Sequence, residues 1–191
     1  NRYHVPRISF INKIDRIGGD MTKAVKSIRE KLGSNAVPLQ IPIGKEKDFR
    51  GVVDVIAGEA IYFDEKDEDA FTKGPIPPEF AEEYAKLREG IIDAASQLDD
   101  VIMEKFMAGQ EITTAEMKRG LRAAVLACKV TPVLVGTALK NKGVHQLLDA
   151  VCAYLPSPLD LPPVKGKLPG TETDVERVPE PTGPLAALAF K

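Results

Sequence analysis

Apolar residues recur with two different periods along this chain, and the changes from one to the other divide it into segments. Val5-Pro6-Arg7-Ile8-Ser9-Phe10-Ile11 is dense enough in apolar residues to predict a short buried strand, closed by polar residues and the turn-forming Gly18-Gly19. Met21, Ala24, Val25, Ile28 and Leu32 then recur at helical spacing, with Asp20 as an N-cap before them and Gly33 as a stop after them. A strand followed by a helix packed on a sheet is the expectation, and polar side chains at the strand's carboxyl end stand where open α/β sheets place ligands. Between about residues 36 and 63 the runs Leu39 to Ile43, Gly51 to Ile56 and Glu59 to Phe63, punctuated by Gly and Pro, predict a small antiparallel sheet. The acidic stretch Asp64 to Asp69 predicts an exposed loop.

Helical periodicity returns over 78–97, with Phe80, Tyr84, Leu87 and Ile91 on one face, and again over 99–108. Thr113-Thr114-Ala115-Glu116 fits a capping box that opens a helix with Met117, Leu121, Ala124 and Val125 inward. Val130 to Gly136 is nearly all apolar apart from Thr131 and predicts a second buried strand. A helix from about 143 to 154 follows, apolar at Val144, Leu147, Leu148 and Val151. After Pro156 the chain is Pro-rich through Pro184, the composition of an extended linker with little core of its own. Leu185 to Phe190 predicts the first strand of a further element. No repeat of roughly 20 to 50 residues indicates a solenoid.

Composition narrows the class. Hydrophobic residues make up 43% and charged residues 28% of the 191, values of a globular rather than a disordered or membrane chain. With 26 basic and 28 acidic residues the net charge is −2, so no bulk positive field draws in nucleic acid. Cys128 and Cys152 have no partner at metal-ligand spacing, which indicates neither a zinc site nor a disulfide framework and suits a reducing cytoplasm. The apolar runs are far shorter than the roughly 20 residues that span a bilayer. The first residues lack the zones of a signal peptide and the chain does not begin with Met, which predicts a piece of a longer protein.

Two short motifs stand at the carboxyl ends of the two predicted buried strands. Asn12-Lys13-Ile14-Asp15 matches the Asn-Lys-x-Asp element of GTP-binding proteins. The pattern suits guanine: a carboxylate at Asp15 accepts from both the ring N–H and the exocyclic amine, a pair of donors adenine does not present. Asn12 can reach the base edge and tie adjoining loops, Lys13 can lay its methylene stem over the ring, and Ile14 can turn into the core. Thr137-Ala138-Leu139 resembles the second guanine loop of these proteins, usually Ser-Ala-x, in which the Ala N–H donates to the guanine carbonyl. Each motif alone is also the sequence of an ordinary polar turn between strand and helix. Their order and their placement after apolar strands favour the functional reading.

Longer runs are more specific. Val5 to Gly18, Gly136-Thr137-Ala138-Leu139-Lys140-Asn141-Lys142-Gly143-Val144, and Leu147 to Val151 with Tyr154-Leu155-Pro156-Ser157-Pro158 resemble bacterial-type translation elongation factor G. Gly51-Val52-Val53-Asp54 and Ala60-Ile61 resemble its insertion subdomain, and Pro184 to Lys191 the start of its second, β-barrel domain. The resemblance implies an α/β fold: a partial P-loop GTPase sheet, with only its C-terminal strands and helices, carrying an α+β insertion subdomain. It divides the chain into a GTPase segment with the guanine motif at 1–35, the insertion at 36–128, the closing strand, second guanine loop and last helix at 129–156, a linker at 157–184 and the second domain's start at 185–191. One departure is Thr137, where the family commonly has Ser, a change that keeps the hydroxyl.

What the resemblance implies for function is divided between this chain and the rest of its parent. The parent would be a GTP-hydrolysing ribosomal translocation factor, acting on transfer and messenger RNA and using GTP or GDP with Mg2+. Here only the guanine end would be held, by Asn12, Lys13, Asp15, Thr137, Ala138 and Leu139. No Gly-x4-Gly-Lys-Ser/Thr phosphate loop occurs in the 191 residues, so no catalytic or metal-binding residue is assigned and the chain alone is expected to be inactive. Asp15-Arg16-Ile17-Gly18 spells Asp-x-x-Gly by coincidence, and His4 and His145 are expected at the surface. The acidic face bearing Glu79, Glu82, Glu83 and Glu89 is ordinarily solvated surface; the family's insertion is associated with the ribosomal stalk protein, which makes these residues candidates for that contact. A nucleotide-independent protein-binding module, or a paralogous recycling, release-type or ribosome-protection GTPase, are the alternatives.

Overall fold

The computed structural model describes residues 3–185 and 187, in two units, Asn1–Leu155 and Pro156–Lys191. The first holds β1 (Ser9–Ile11), α1 (Met21–Leu32), β2 (Ala36–Pro38), β3 (Gln40–Ile43), β4 (Gly51–Asp54), β5 (Glu59–Phe63), β6 (Phe71–Gly74), α2 (Ala81–Ser96), α3 (Asp100–Met107), α4 (Thr114–Leu126), β7 (Thr131–Val135) and α5 (Val144–Tyr154). A parallel sheet of order β1-β7-β2 and an antiparallel sheet of order β3-β4-β5-β6 carry the helices, so the α/β class with an inserted α+β element is what the chain adopts. β1 pairs with β7 at Ser9↔Val133 and Ile11↔Val135, and β2 pairs with it at Ala36↔Thr131 and Pro38↔Val133.

Periodicity shows no strand at β2 or β6, for two reasons. Ala36-Val37-Pro38 is too short to alternate, and its proline is tolerated because β2 is an edge strand. β6 is largely exposed and has one large apolar residue, so it has no buried face to betray it.

The two sheets diverge at Gln40. Leu39 N–H still donates to Val133 O at 3.0 Å, as a continuation of β2 along β7. At the next rung the backbone has left, and the Gln40 side chain takes its place: its Oε1 accepts from Val135 N–H at 3.0 Å. The Gln40 backbone meanwhile lies opposite Asp54 in the β3–β4 ladder. Gln40 is buried, so a polar side chain extends one ladder while its main chain begins another.

Alternation in both sheets then feeds two shared cores. Leu134 packs in one cluster with Leu39, Ile41, Val53, Ile91 and Leu121. Val133 and Val135, on the other face of β7, pack with Ile14, Met21, Val25, Val52 and Ile61. Val52 and Val53 are neighbours in β4 yet face different clusters, as the pleat requires. The inserted sheet therefore has no core separate from that of the parallel sheet.

Helix boundaries follow the sequence closely. Asp20 Oδ1 accepts from Lys23 N–H at 3.0 Å, and Gly33 ends α1 in the left-handed conformation. Asp99 caps α3 through Ile102 N–H. Thr113 and Glu116 form the reciprocal capping box of α4, and Lys105 Nζ lies 2.5 Å from Glu116 Oε1. Gly120 lets α4 pack closely: a Cβ there would stand 2.5 Å from Ile102 Cδ1 and 3.0 Å from Ala95 Cβ.

Two helix faces differ from the periodic expectation. Leu32 is exposed, at the last turn of α1, where Arg29 instead reaches Ala36 O at 2.7 Å. On α5 the buried residues are Gln146, Ala150 and Tyr154, whereas Leu148 is 57% and Val151 38% exposed. Apolar residues surround much of α5, so spacing alone cannot choose its inner face; Arg122 of α4 fixes the helix end by donating to Ala153 O and Leu155 O. His4 is exposed, as expected, while His145 is half-buried with its ring 5.9 Å from that of Phe71.

The second unit contains a 3-10 turn at Pro158–Asp160, capped by Ser157, and an antiparallel pair β8 (Val164–Lys167) and β9 (Asp174–Arg177). The composition of a linker hides this hairpin because each strand carries a single large apolar residue. The strand expected at 185–190 falls mostly outside the described residues. Among the described residues no helix is long and apolar enough to cross a membrane.

Gln40→Leu would leave Val135 N–H buried without an acceptor and should cost about 1–3 kcal/mol of stability, measured as a lowered urea midpoint. The Lys105 ammonium, with the Thr113 backbone and hydroxyl, lowers the Glu116 carboxyl from 4.5 to about 2. A carboxyl lowered by folding stabilises above its unfolded value, and that contribution is lost as pH falls from about 4.5 towards 2. The urea midpoint should therefore fall across that window, and fall less steeply in Glu116→Gln.

Candidate functional site

Because β1 and β7 are adjacent and parallel, the residues that follow them emerge side by side at one edge of the sheet. Pairing continues a short way beyond the strands, with Gly136 N–H donating to Ile11 O at 3.0 Å and Ile14 N–H to Gly136 O at 3.3 Å. Gly136 has to lack a side chain: a Cβ would lie 2.3 Å from Lys142 O and 2.7 Å from the Phe10 ring.

Beyond that point the first loop turns sharply. Lys13 adopts φ 61°, a conformation uncommon outside glycine, and Ile14 turns into the core, 3% exposed. The turn is held by Asn12, whose Oδ1 accepts from Lys13 N–H at 2.8 Å and from Ala138 N–H at 3.0 Å. One side-chain oxygen thus ties the two loops together. The Ala138 N–H, expected to face a guanine carbonyl, is engaged by Asn12 in this structure.

A second link runs through Asp15. Thr137, itself buried, donates from Oγ1 to Asp15 Oδ1 at 3.0 Å. Lys140 Nζ lies 2.8 Å from Asp15 Oδ2. The Lys140 hydrogen bond is the largest influence on the Asp15 carboxyl and holds it below the usual carboxylate range; burial opposes this, and the Thr137 hydroxyl adds to it. The loop reaches this arrangement through a 3-10 turn at Ala138–Lys140 followed by Asn141 at φ 50°, a residue type that tolerates the left-handed region.

The structure thus brings Asn12, Asp15, Thr137 and Ala138 into direct contact, with Lys13 and Leu139 exposed on the same two loops; Leu139 is 82% exposed. Glu79, Glu82, Glu83 and Glu89 belong to the insertion, at exposed positions on the 3-10 turn preceding α2 and on α2 itself. Spacing gave no sign of Lys140, because its return to Asp15 depends on the Asn141 turn. Three contacts to the connections of the antiparallel sheet were equally hidden: Gly18 N–H to Glu46 Oε1 at 2.8 Å, Asn141 Nδ2 to Asp69 Oδ1 at 2.5 Å, and Lys142 Nζ to Phe49 O at 3.3 Å. A cavity of about 200 Å³ opens elsewhere, between the antiparallel sheet and α5, and its lining includes none of the loop residues named above.

Comparison with known proteins is consistent with this geometry. Residues 1–157 match the family model described as the elongation factor Tu GTP binding domain. Over 100% of its length the chain is 47% identical to elongation factor G 1 of Geobacter sulfurreducens and 47% identical to elongation factor G of Thermotoga maritima, and it spans 28% of each of those proteins. A crystal structure of a Thermus thermophilus protein matches with a TM-score of 0.72 at 26% identity, over 85% of this chain and 24% of that one.

Proposed function

The chain belongs to the elongation factor Tu GTP-binding domain family, and from that premise we propose that it forms the base-reading wall of a guanine-nucleotide site in a GTP-hydrolysing translation factor of the elongation factor G kind. The observation that carries this reading is the Asp15 carboxylate, held by Thr137 across two loops that Asn12 also joins. A carboxylate offers paired acceptors, which guanine answers with its ring N–H and 2-amino group. Adenine presents an acceptor where guanine has that ring N–H and would leave an Asp15 oxygen without its donor. The exposed Lys13 stem and Leu139 supply apolar surface for the faces of the base, and Ala138 N–H becomes the donor for its carbonyl once it leaves Asn12 Oδ1, which holds it here at 3.0 Å.

Phosphate and Mg2+ binding, and the activation of water, fall to parts of the parent factor other than these residues. In the parent the base wall would serve GTP hydrolysis on the ribosome during movement of transfer and messenger RNA. Most nucleotide affinity comes from phosphate contacts, so the chain itself should read the base weakly and hydrolyse nothing.

An NMR titration should show GMP binding this chain about tenfold or more tighter than AMP, the order expected from one unmet buried hydrogen bond. Asp15→Asn should erase that preference and favour XMP, whose 2-carbonyl accepts from an amide. Equal affinity for GMP and AMP in the unaltered chain would remove the base-reading role, and Mg2+-dependent GTP hydrolysis by it would remove the division of labour.

A second role is supported by α2 and the turn before it. Glu82 and Glu89 stand two turns apart on one stripe, with Glu79 and Glu83 beside them, all exposed. Such a face suits a basic partner, and in a factor of this kind the ribosomal stalk protein is the partner proposed. Changing the four glutamates to lysine should weaken stalk-protein binding by about tenfold or more through like-charge contact, measured by titration with the labelled stalk protein, while Asp15→Asn leaves it intact. Undiminished binding by the four-lysine variant would end this proposal.

A further inference from the structure

We infer that Lys140 is a latch on the base-reading carboxylate: its ammonium competes with guanine for Asp15, so that guanine preference is set by the breaking of an internal ion pair. The inference rests on the guanine reading above, and goes beyond it by giving a specificity-setting role to a residue outside the two motifs.

The geometry is asymmetric in a way that suits a latch. The Asp15 side chain is 8% exposed, whereas that of Lys140 is 53% exposed. Thr137 fixes one carboxylate oxygen at 3.0 Å from a buried hydroxyl, and Lys140 holds the other at 2.8 Å. The carboxylate is thus the fixed partner and the lysine the one able to swing into water. Guanine approaches Asp15 with two parallel donors and needs both oxygens on its side. The ammonium stands on one of them and also neutralises the charge that makes the carboxylate a strong acceptor. The lowered carboxyl of Asp15, for which Lys140 is the leading cause, fits a pair that is formed rather than merely near.

Removing the lysine has an effect opposite to that of removing a binding residue. Deleting a group that holds the nucleotide weakens binding, whereas deleting a competitor strengthens it. The effect is specific to guanine, because adenine makes no paired demand on Asp15. Lysine also differs from arginine here. Arginine can hold a carboxylate through two parallel N–H groups, so it would close the latch more firmly.

The test is the ratio of GMP to AMP affinity, measured by NMR titration on the whole chain for the unaltered protein, Lys140→Met and Lys140→Arg, with circular dichroism to check folding. Methionine keeps much of the stem and removes the charge. The ratio should rise about threefold to tenfold in Lys140→Met, the scale of a partly exposed ion pair, and fall below that of the unaltered chain in Lys140→Arg. Added salt, which screens the pair, should raise the ratio in the unaltered chain and not in Lys140→Met. A ratio in Lys140→Met equal to or below that of the unaltered chain overturns the latch while leaving base reading in place. A ratio near one in the unaltered chain shows that base reading itself has failed, and the latch falls with it.

Discussion

The hydrogen bond from Val135 N–H to the Gln40 side chain is the joint on which the arrangement of the first unit depends. β7 is the one strand of the parallel sheet with a neighbour on each side, and its last rung on the β2 side is completed by a side chain rather than a backbone. That substitution lets the main chain leave the parallel sheet at Gln40 and begin the antiparallel one with its backbone groups paired and the end of β7 still satisfied. It also sets the position of β3 against β7, and with it the sharing of Leu134 and Val133 between two cores that both sheets build. The insertion is consequently packed into the sheet that carries the two candidate-site loops.

From this joint the path to the candidate site is short. Val135 is the last residue of β7, and Gly136 to Lys140 follow directly, beside Asn12 to Asp15 after β1. The loops are held by few groups, each with two partners. Asn12 Oδ1 serves Lys13 and Ala138, and the Asp15 carboxylate serves Thr137 and Lys140. The positive φ of Lys13 is kept where hydrogen bonds on both sides fix it, the circumstance in which strained backbone persists.

How far the sequence reached depends on whether the cause of each feature is local. The Asp20 cap, the Gly33 stop and the Thr113–Glu116 box are settled within a few residues, and all are present at the expected places. The order of motif after strand was legible for the same reason. β2 was not, because its existence depends on pairing with a strand that begins at Thr131. Nor was the inner face of α5, where Tyr154 and Ala150 are chosen by the core cluster they join and not by the spacing of Leu147, Leu148 and Val151. In the site, residue types identified Asp15 and Asn12, whereas the ion pair with Lys140 joins residues 125 positions apart and needed the fold.

The bond between Asn141 and Asp69 gives the acidic loop after β5 an unusual standing. Surface connections of this composition ordinarily drift in length as sequences diverge, since nothing downstream registers the change. Here Asp64 caps the loop's own turn through Lys66 and Asp67 N–H, and Asp69 ends it against the turn that aims Lys140. Between those two anchors Asp67 Oδ1 also accepts from Asp69 N–H at 3.0 Å, and one residue added or removed would carry Asp69 off its partner. The number of residues in a solvent-facing loop of the insertion is in this way tied to the shape of the loop that follows β7 in the other sheet.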